Sequence, residues 1–242
     1  MRGQDNRRTV AVTGMACFLG LFSGCELIDL ARNPAITFDL PERTYTMSTQ
    51  DAKWQTSPPT YVQSLTCATV ADCCSPAGLP PGAPMFDCSA YPLTCESGQC
   101  GMRFPFEVPS TIDLAAEAPA LNQVGEGAVE DVLLRSLTYS VENTSNVDLP
   151  PTSLYIAPEG VTTAASDGAT LLATIPMTPS GAMAEQEVEL SVEAQEAFAS
   201  FARNFKTPFT LIGSTTVVVR SGDPTPAGEV KLVVSGKVTA KF

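Results

Sequence analysis

Glu229-Val230-Lys231-Leu232-Val233-Val234-Ser235-Gly236-Lys237-Val238-Thr239-Ala240-Lys241-Phe242 is the run that decides the fold. Val230, Leu232, Val234, Gly236, Val238, Ala240 and Phe242 fall on one face of an extended chain. Glu229, Lys231, Val233, Ser235, Lys237, Thr239 and Lys241 fall on the other. Alternation of period two over this length predicts a half-buried antiparallel strand. The β-branched stretch Phe209–Arg220 reads as its hairpin partner, with residues 221–228 as the connecting loop.

Working upstream, Leu133, Arg135, Leu137, Tyr139 and Val141 alternate with Leu134, Ser136, Thr138, Ser140 and Glu142, so a second strand is expected there. Asn143-Thr144-Ser145-Asn146 breaks it. Residues 154–157, 170–175 and 187–190 are further short strands separated by turn formers. One helix is expected. Ser191 suits its N-cap, Glu193 and Glu196 its first turns, and Phe198, Phe201, Ala202 and Phe205 its apolar face, with Arg203 and Lys206 at its end. This face reads as core packing, and the helix as a cap on one end. The fold class is mainly β: an antiparallel sandwich, Ig-like in broad architecture, with one short helix.

Six cysteines, Cys67, Cys73, Cys74, Cys88, Cys95 and Cys100, lie within 34 residues. An even, clustered set in an exported chain reads as a disulfide framework, here a small three-disulfide module. Six cysteines allow 15 pairings, and excluding an adjacent Cys73–Cys74 bridge leaves about 12 open. Metal sites call for Cys-x-x-Cys pairs or histidines, and the chain has neither. Pro-rich turns such as Pro80-Pro81-Gly82-Ala83-Pro84 fill the window, so bridges rather than an apolar core must order it.

The N-terminus supplies the address. Arg2, Arg7 and Arg8 form a basic n-region, residues 10–22 an apolar stretch too short to span a bilayer, and Ser23-Gly24 a small pair ahead of Cys25. Leu21-Phe22-Ser23-Gly24-Cys25 resembles the lipobox of bacterial lipoproteins, although Phe22 stands where that family more often has Leu or Val. The resemblance implies cleavage before Cys25, diacylglyceryl transfer to its thiol and acylation of the new amine. Each buried methylene contributes about 0.8 kcal/mol, so two or three chains hold where one would not. Glu26 in place of an aspartate implies the outer membrane.

Removing Arg2, Arg7, Arg8 and Asp5 with the leader takes the net charge from −12 to −14. Such a surface repels phosphate backbones, so nucleic acid is not an expected partner. Four segments follow: a signal peptide at 1–24, a tether at 25–60 with room for a strand near 35–40, the Cys-rich module at 61–102, and the sandwich at 103–242. Phe38-Asp39-Leu40-Pro41 echoes Phe106-Glu107-Val108-Pro109, so the Cys-rich module reads either as an insertion between two strands or as a unit in series. Residues 137–157, with Asn143 and Asn146 between strands, resemble the sandwich of late-embryogenesis-abundant proteins but lack that family's Asn-Pro pair. That resemblance implies fold, not activity.

The absence of histidine removes the usual general base and zinc ligand. There is no Gly-x-Ser-x-Gly elbow, Ser-x-x-Lys pair or phosphate loop. Glu185, Glu187 and Glu189 share one strand face and form a candidate calcium site that needs further oxygens from another loop; their default reading is a solvated face. Trp54, Tyr61 and Tyr91 could form a recognition patch or pack over disulfides. No cofactor is expected. The expected role is non-enzymatic: a lipid-anchored envelope protein, structural or binding, with a membrane contact through Cys25 and an envelope or surface protein as partner. The alternatives are a histidine-free hydrolase or carbohydrate binder using carboxylates, and a module whose Cys-rich loop is itself the recognition element.

Overall fold

In the computed structural model the described residues are 35–48, 66–74, 93–119, 121, 129–220, 223 and 226–242. They form nine strands: β1 (Ala35–Ser48), β2 (Leu93–Glu96), β3 (Gln99–Ile112), β4 (Asp131–Asn143), β5 (Thr152–Pro158), β6 (Thr170–Ile175), β7 (Met183–Val188), β8 (Phe209–Arg220) and β9 (Glu229–Lys241). Two helices, α1 (Leu114–Glu117) and α2 (Val192–Ala202), and a 3-10 turn at Val70–Cys74 complete the set. Sheet A has the order β1-β9-β4-β7, sheet B the order β2-β3-β8-β5-β6, and every neighbouring pair is antiparallel. This is the β-sandwich its alternating strands predict.

β9 buries Val230, Leu232, Val234, Val238 and Ala240, as its alternation requires. Its neighbours differ from expectation. β8 lies in the opposite sheet, so β8 and β9 do not form a hairpin. β9 pairs instead with β1 on one side and β4 on the other. The physical reason lies in β8, whose inward face (Phe209, Leu211, Val217, Val219) is as apolar as that of β9. An inward face of this kind is buried from either sheet of a sandwich, so apolar alternation alone does not say which strand lies beside β9.

The sandwich therefore opens at Ala35, not at residue 103. The segment read as a tether contains β1, which runs along β9 from Ala35↔Lys241 to Ser48↔Glu229. In sequence, Cys67, Cys73, Cys74 and Cys88 fall between β1 and β2, while Cys95 stands in β2 and Cys100 in β3, both strands of sheet B.

Both strands beside β9 bulge, one on each side of Gly236. In β1, Leu40 faces Gly236 and Arg43 faces Val234, which leaves Pro41 and Glu42 opposite one residue. In β4, Leu134 faces Val238 and Ser136 faces Lys237, so Arg135 is the extra residue. A bulge flips side-chain parity. The buried set of β4 is accordingly Val132 and Leu134, then Leu137, Tyr139 and Val141. A single alternation beginning at Leu133 does not describe it. Pro41 fits because a bulge needs no N–H from it. Gly236 fits because a Cβ there would stand 3.1 Å from the Ser136 carbonyl and 3.3 Å from Leu40 Cδ1.

Helix α2 begins as read, with Ser191 Oγ accepting from Ala194 N at 3.1 Å. Phe198, Ala202 and Phe205 are buried, and Phe198 meets Phe209 edge-on with ring centroids 5.9 Å apart. The helix packs against β4 of sheet A and β5 and β6 of sheet B. It caps the end where β1 starts and β9 finishes, and Arg203 reaches Asp131 there at 3.6 Å. A connection over residues 159–169 folds across the outer face of sheet B. It is pinned where Ala164 N donates to Glu107 Oε1 at 2.8 Å.

Tyr45 packs on Gly213, where a Cβ would lie 3.2 Å from its ring. Its hydroxyl has no hydrogen-bond partner among the described residues. Burial pushes the phenol pKa up to about 12, against a smaller opposing pull from Arg43. Between pH 10 and 12 the folded chain keeps a proton that the unfolded chain releases. Stability is therefore whole below pH 10 and falls as pH rises toward 12, by roughly 1.4 kcal/mol per unit. Tyr45→Phe is expected to hold or raise stability at pH 7, by up to about 1 kcal/mol, and to lessen the alkaline loss. Urea midpoints for both chains from pH 7 to 11.5 check this; equal alkaline losses would contradict it.

Candidate functional site

Chemical groups gather at the end of the sandwich opposite α2. The hairpin β2–β3 turns through Ser97 and Gly98, at φ 54° and 77°, as a two-residue primed turn requires. The residues Glu96-Ser97-Gly98-Gln99 form the turn their composition suggests. Cys95 and Cys100 face each other across this hairpin, so their side chains leave on one face.

They meet the segment at 66–74. Cys67 bridges Cys95 and Cys73 bridges Cys100, with Cα separations of 5.9 and 5.6 Å. The segment is docked further by Cys67 N donating to the Gly98 carbonyl at 3.0 Å and by a bridge between Thr66 and Gln99. Asp72 closes the turn, accepting from Ala68 N at 2.8 Å and Thr69 N at 2.6 Å. These backbone donors hold its carboxyl below the usual range. Each bridge closes a loop of about thirty residues, for which roughly 2–4 kcal/mol is typical. Sγ atoms of Cys67, Cys73 and Cys100 lie within 4.8 Å of one another, the one grouping of metal-ligating side chains among the described residues. All three are consumed in bridges.

Beside this module lies a second organised loop. Asn143 is buried. Its Nδ2 donates to the carbonyls of Val147 (2.9 Å), Thr178 (3.2 Å) and Pro179 (3.2 Å), while Oδ1 accepts from Ser145 N and Oγ. A residue whose sequence context marks a strand break is thus the hub of the loop. Its amide is spent on these internal hydrogen bonds. Gly228 completes the arrangement. Its φ is 109°, and a Cβ would meet Ser145 Cα and the Thr144 carbonyl at 2.7 Å.

A cavity of about 620 Å³ separates the two loops. Glu96 bridges two arginines on its wall: Oε2 accepts from Arg220 Nη2 at 2.7 Å, and Oε1 stands 3.5 Å from Arg103 Nη2. Asp148 and Asp223 lie on its rim, and Val147, Pro150 and Met177 give it an apolar side. This two-arginine cluster was not singled out by sequence, because its members are 124 residues apart at the extremes.

Glu185, Glu187 and Glu189 are exposed on β7 and the residue just past it, and Arg135 borders the same depression as Glu187 and Glu189. No metal-ligating grouping includes them among the described residues. Cys25, Trp54, Tyr61, Cys88 and Tyr91, and the side chain of Cys74, lie outside the described residues. Non-reducing peptide mapping is expected to yield Cys67 linked to Cys95 and Cys73 to Cys100. Cysteine parity then predicts Cys74 linked to Cys88. A fragment joining Cys95 directly to Cys100 would contradict the assignment.

No family model matches the chain, and no curated protein sequence does. Among solved structures, a chain of turnip yellow mosaic virus is 11% identical with a TM-score of 0.26, covering 67% of this chain and 86% of that one. A chain of the Israeli acute paralysis virus full particle is 10% identical with a TM-score of 0.29, covering 99% and 85%. A structure from work on carbohydrate-binding modules of the β-sandwich superfamily is 9% identical with a TM-score of 0.25, covering 84% and 55%. With TM-scores below 0.5, none of them bears on function.

Proposed function

We propose that this protein is a lipid-anchored bacterial envelope protein, non-catalytic, whose sandwich presents its disulfide-bonded end for binding. The observation that carries the reading is the polarity of β1. Ala35 follows Cys25 by ten residues and pairs with Lys241 at the α2 end. Ser48 pairs with Glu229 at the opposite end, and fourteen extended residues separate the two by roughly 43 Å. An acylated Cys25 thus holds the α2 end to the membrane and leaves the bridges and the arginine-lined cavity pointing away. Disulfides suit an oxidising compartment, and Cys25 supplies the hold on the membrane.

Two readouts test this. Mass spectrometry of the mature chain is expected to find an acylated N-terminal Cys25, and Cys25→Ser to release the protein from membranes. An azide-bearing residue placed at Ser97 or at Lys206, labelled with a dye over a bilayer containing a lipid quencher, is expected to be quenched strongly only at position 206. A mature N-terminus elsewhere, or equal quenching at both positions, would overturn the reading.

A further inference from the structure

Sheet B treats two of its edges in opposite ways. In the β3–β8 register, Pro105 faces Thr216 and Pro109 faces Ile212. Proline has no N–H, so these are the non-hydrogen-bonded pairs, and the ladder bonds between β3 and β8 fall on the residues between them. The missing N–H groups fall along the outer edge of β3, which the prolines blunt. By the same alternation, the N–H and C=O groups of Ile212, Ser214, Thr216, Val218 and Arg220 point away from β3, into the lane of β5.

Ile212 and Ser214 find Tyr155 and Ser153 in that lane. β5 goes no further, because Pro150 and Pro151 precede it and cannot extend a ladder. At the far end, Arg220 N donates to Asp223 Oδ2 at 2.7 Å and its carbonyl accepts from Asp223 N at 3.1 Å, which fixes the same alternation independently. Thr216 and Val218 are left between them. Among the described residues no strand pairs with them on this side. Two donors and two acceptors therefore face the 620 Å³ cavity, a volume within the ~300–1,000 Å³ of ligand sites.

The walls say what fits. Glu96, Asp148 and Asp223 outnumber Arg103 and Arg220, both guanidiniums are turned to Glu96, and the chain as a whole is acidic. Val147, Pro150 and Met177 line the other side. An extended segment alternating basic and apolar side chains satisfies both walls while its backbone takes up the open ladder groups. The geometry points to a β-augmentation site: a lysine-bearing extended segment of a partner protein adds beside Thr216 and Val218, in the lane that no strand of the described residues takes beyond β5. This deepens the proposed binding role and rests on it for the direction the site faces.

The test uses the full acylated chain in detergent micelles and the hexapeptides acetyl-(Lys-Val)3-amide and acetyl-(Glu-Val)3-amide. The lysine peptide is expected to slow hydrogen exchange of the Thr216 and Val218 amides at least tenfold. The glutamate peptide is expected to leave them unchanged, and 0.5 M salt to weaken the protection. Val218→Pro removes an N–H that the β3 ladder does not use. It is expected to keep cooperative unfolding and weaken the lysine peptide at least tenfold, and Thr216→Pro is expected to do the same. Unchanged exchange at both amides, protection confined to another strand edge, or undiminished binding by Val218→Pro would overturn the site. Loss of cooperative unfolding in both proline variants would overturn it too, since those N–H groups would then belong to the β3 ladder. The outcome is separable from the anchor: an unacylated Cys25 leaves the peptide result standing, and a silent peptide leaves the acylation result standing.

Discussion

Strand β9 is held on both sides, and the rest of the molecule is arranged around that fact. On one flank it pairs with β1, on the other with β4. The two flanking strands bulge on either side of Gly236, where the absence of a Cβ lets Leu40 and Leu134 close over the backbone. Bulges on both sides of a regular strand increase local twist and let sheet A curve over sheet B. The consequence is topological. The first and last strands of the sandwich lie side by side, so the cysteine window, α1, α2 and every crossover are tied to one closed unit.

That arrangement also gives the molecule two unlike ends. At one, β1 begins, β9 finishes, and α2 seals the core with Phe198 and Phe205. Asp131 there meets both Arg203 and Lys241 at 3.6 Å. At the other, apolar burial is thinner. The Met102, Phe104, Phe106, Val217 and Val219 cluster is separate from the main core. Covalent bridges and the Asn143 hydrogen bonds supply order where packing does not. An end ordered by staples rather than by a closed core can carry a cavity beside it. The cavity between the bridged hairpin and the Asn143 loop is of that kind.

The sequence was legible where one face alone sets the pattern. β9, the turn at Ser97-Gly98 and the N-cap Ser191 follow directly from residue type and period. Three features were not legible, each for a physical reason. The partner of β9 depends on which two apolar faces oppose each other across the core, a non-local property. The parity flip at Arg135 looks like unbroken alternation in one dimension. The roles of Arg103, Arg220 and Glu96 exist only once β2, β3 and β8 are adjacent. Asn143 illustrates the limit well: a turn-forming residue by type, it is a buried organiser by position. The bridging of Cys95 and Cys100 to separate partners was likewise one of many allowed pairings until the hairpin register placed them opposite each other.

Native-state hydrogen exchange along β1 tests the central claim, that the sandwich closes on β9 from both sides. If β1 is integral, its ladder amides exchange with the same opening free energy as those of β4 and β9, through global unfolding. If residues 35–48 instead open in a separate, low-energy step while β4 and β9 stay protected, the segment is a tether and the account of the fold fails.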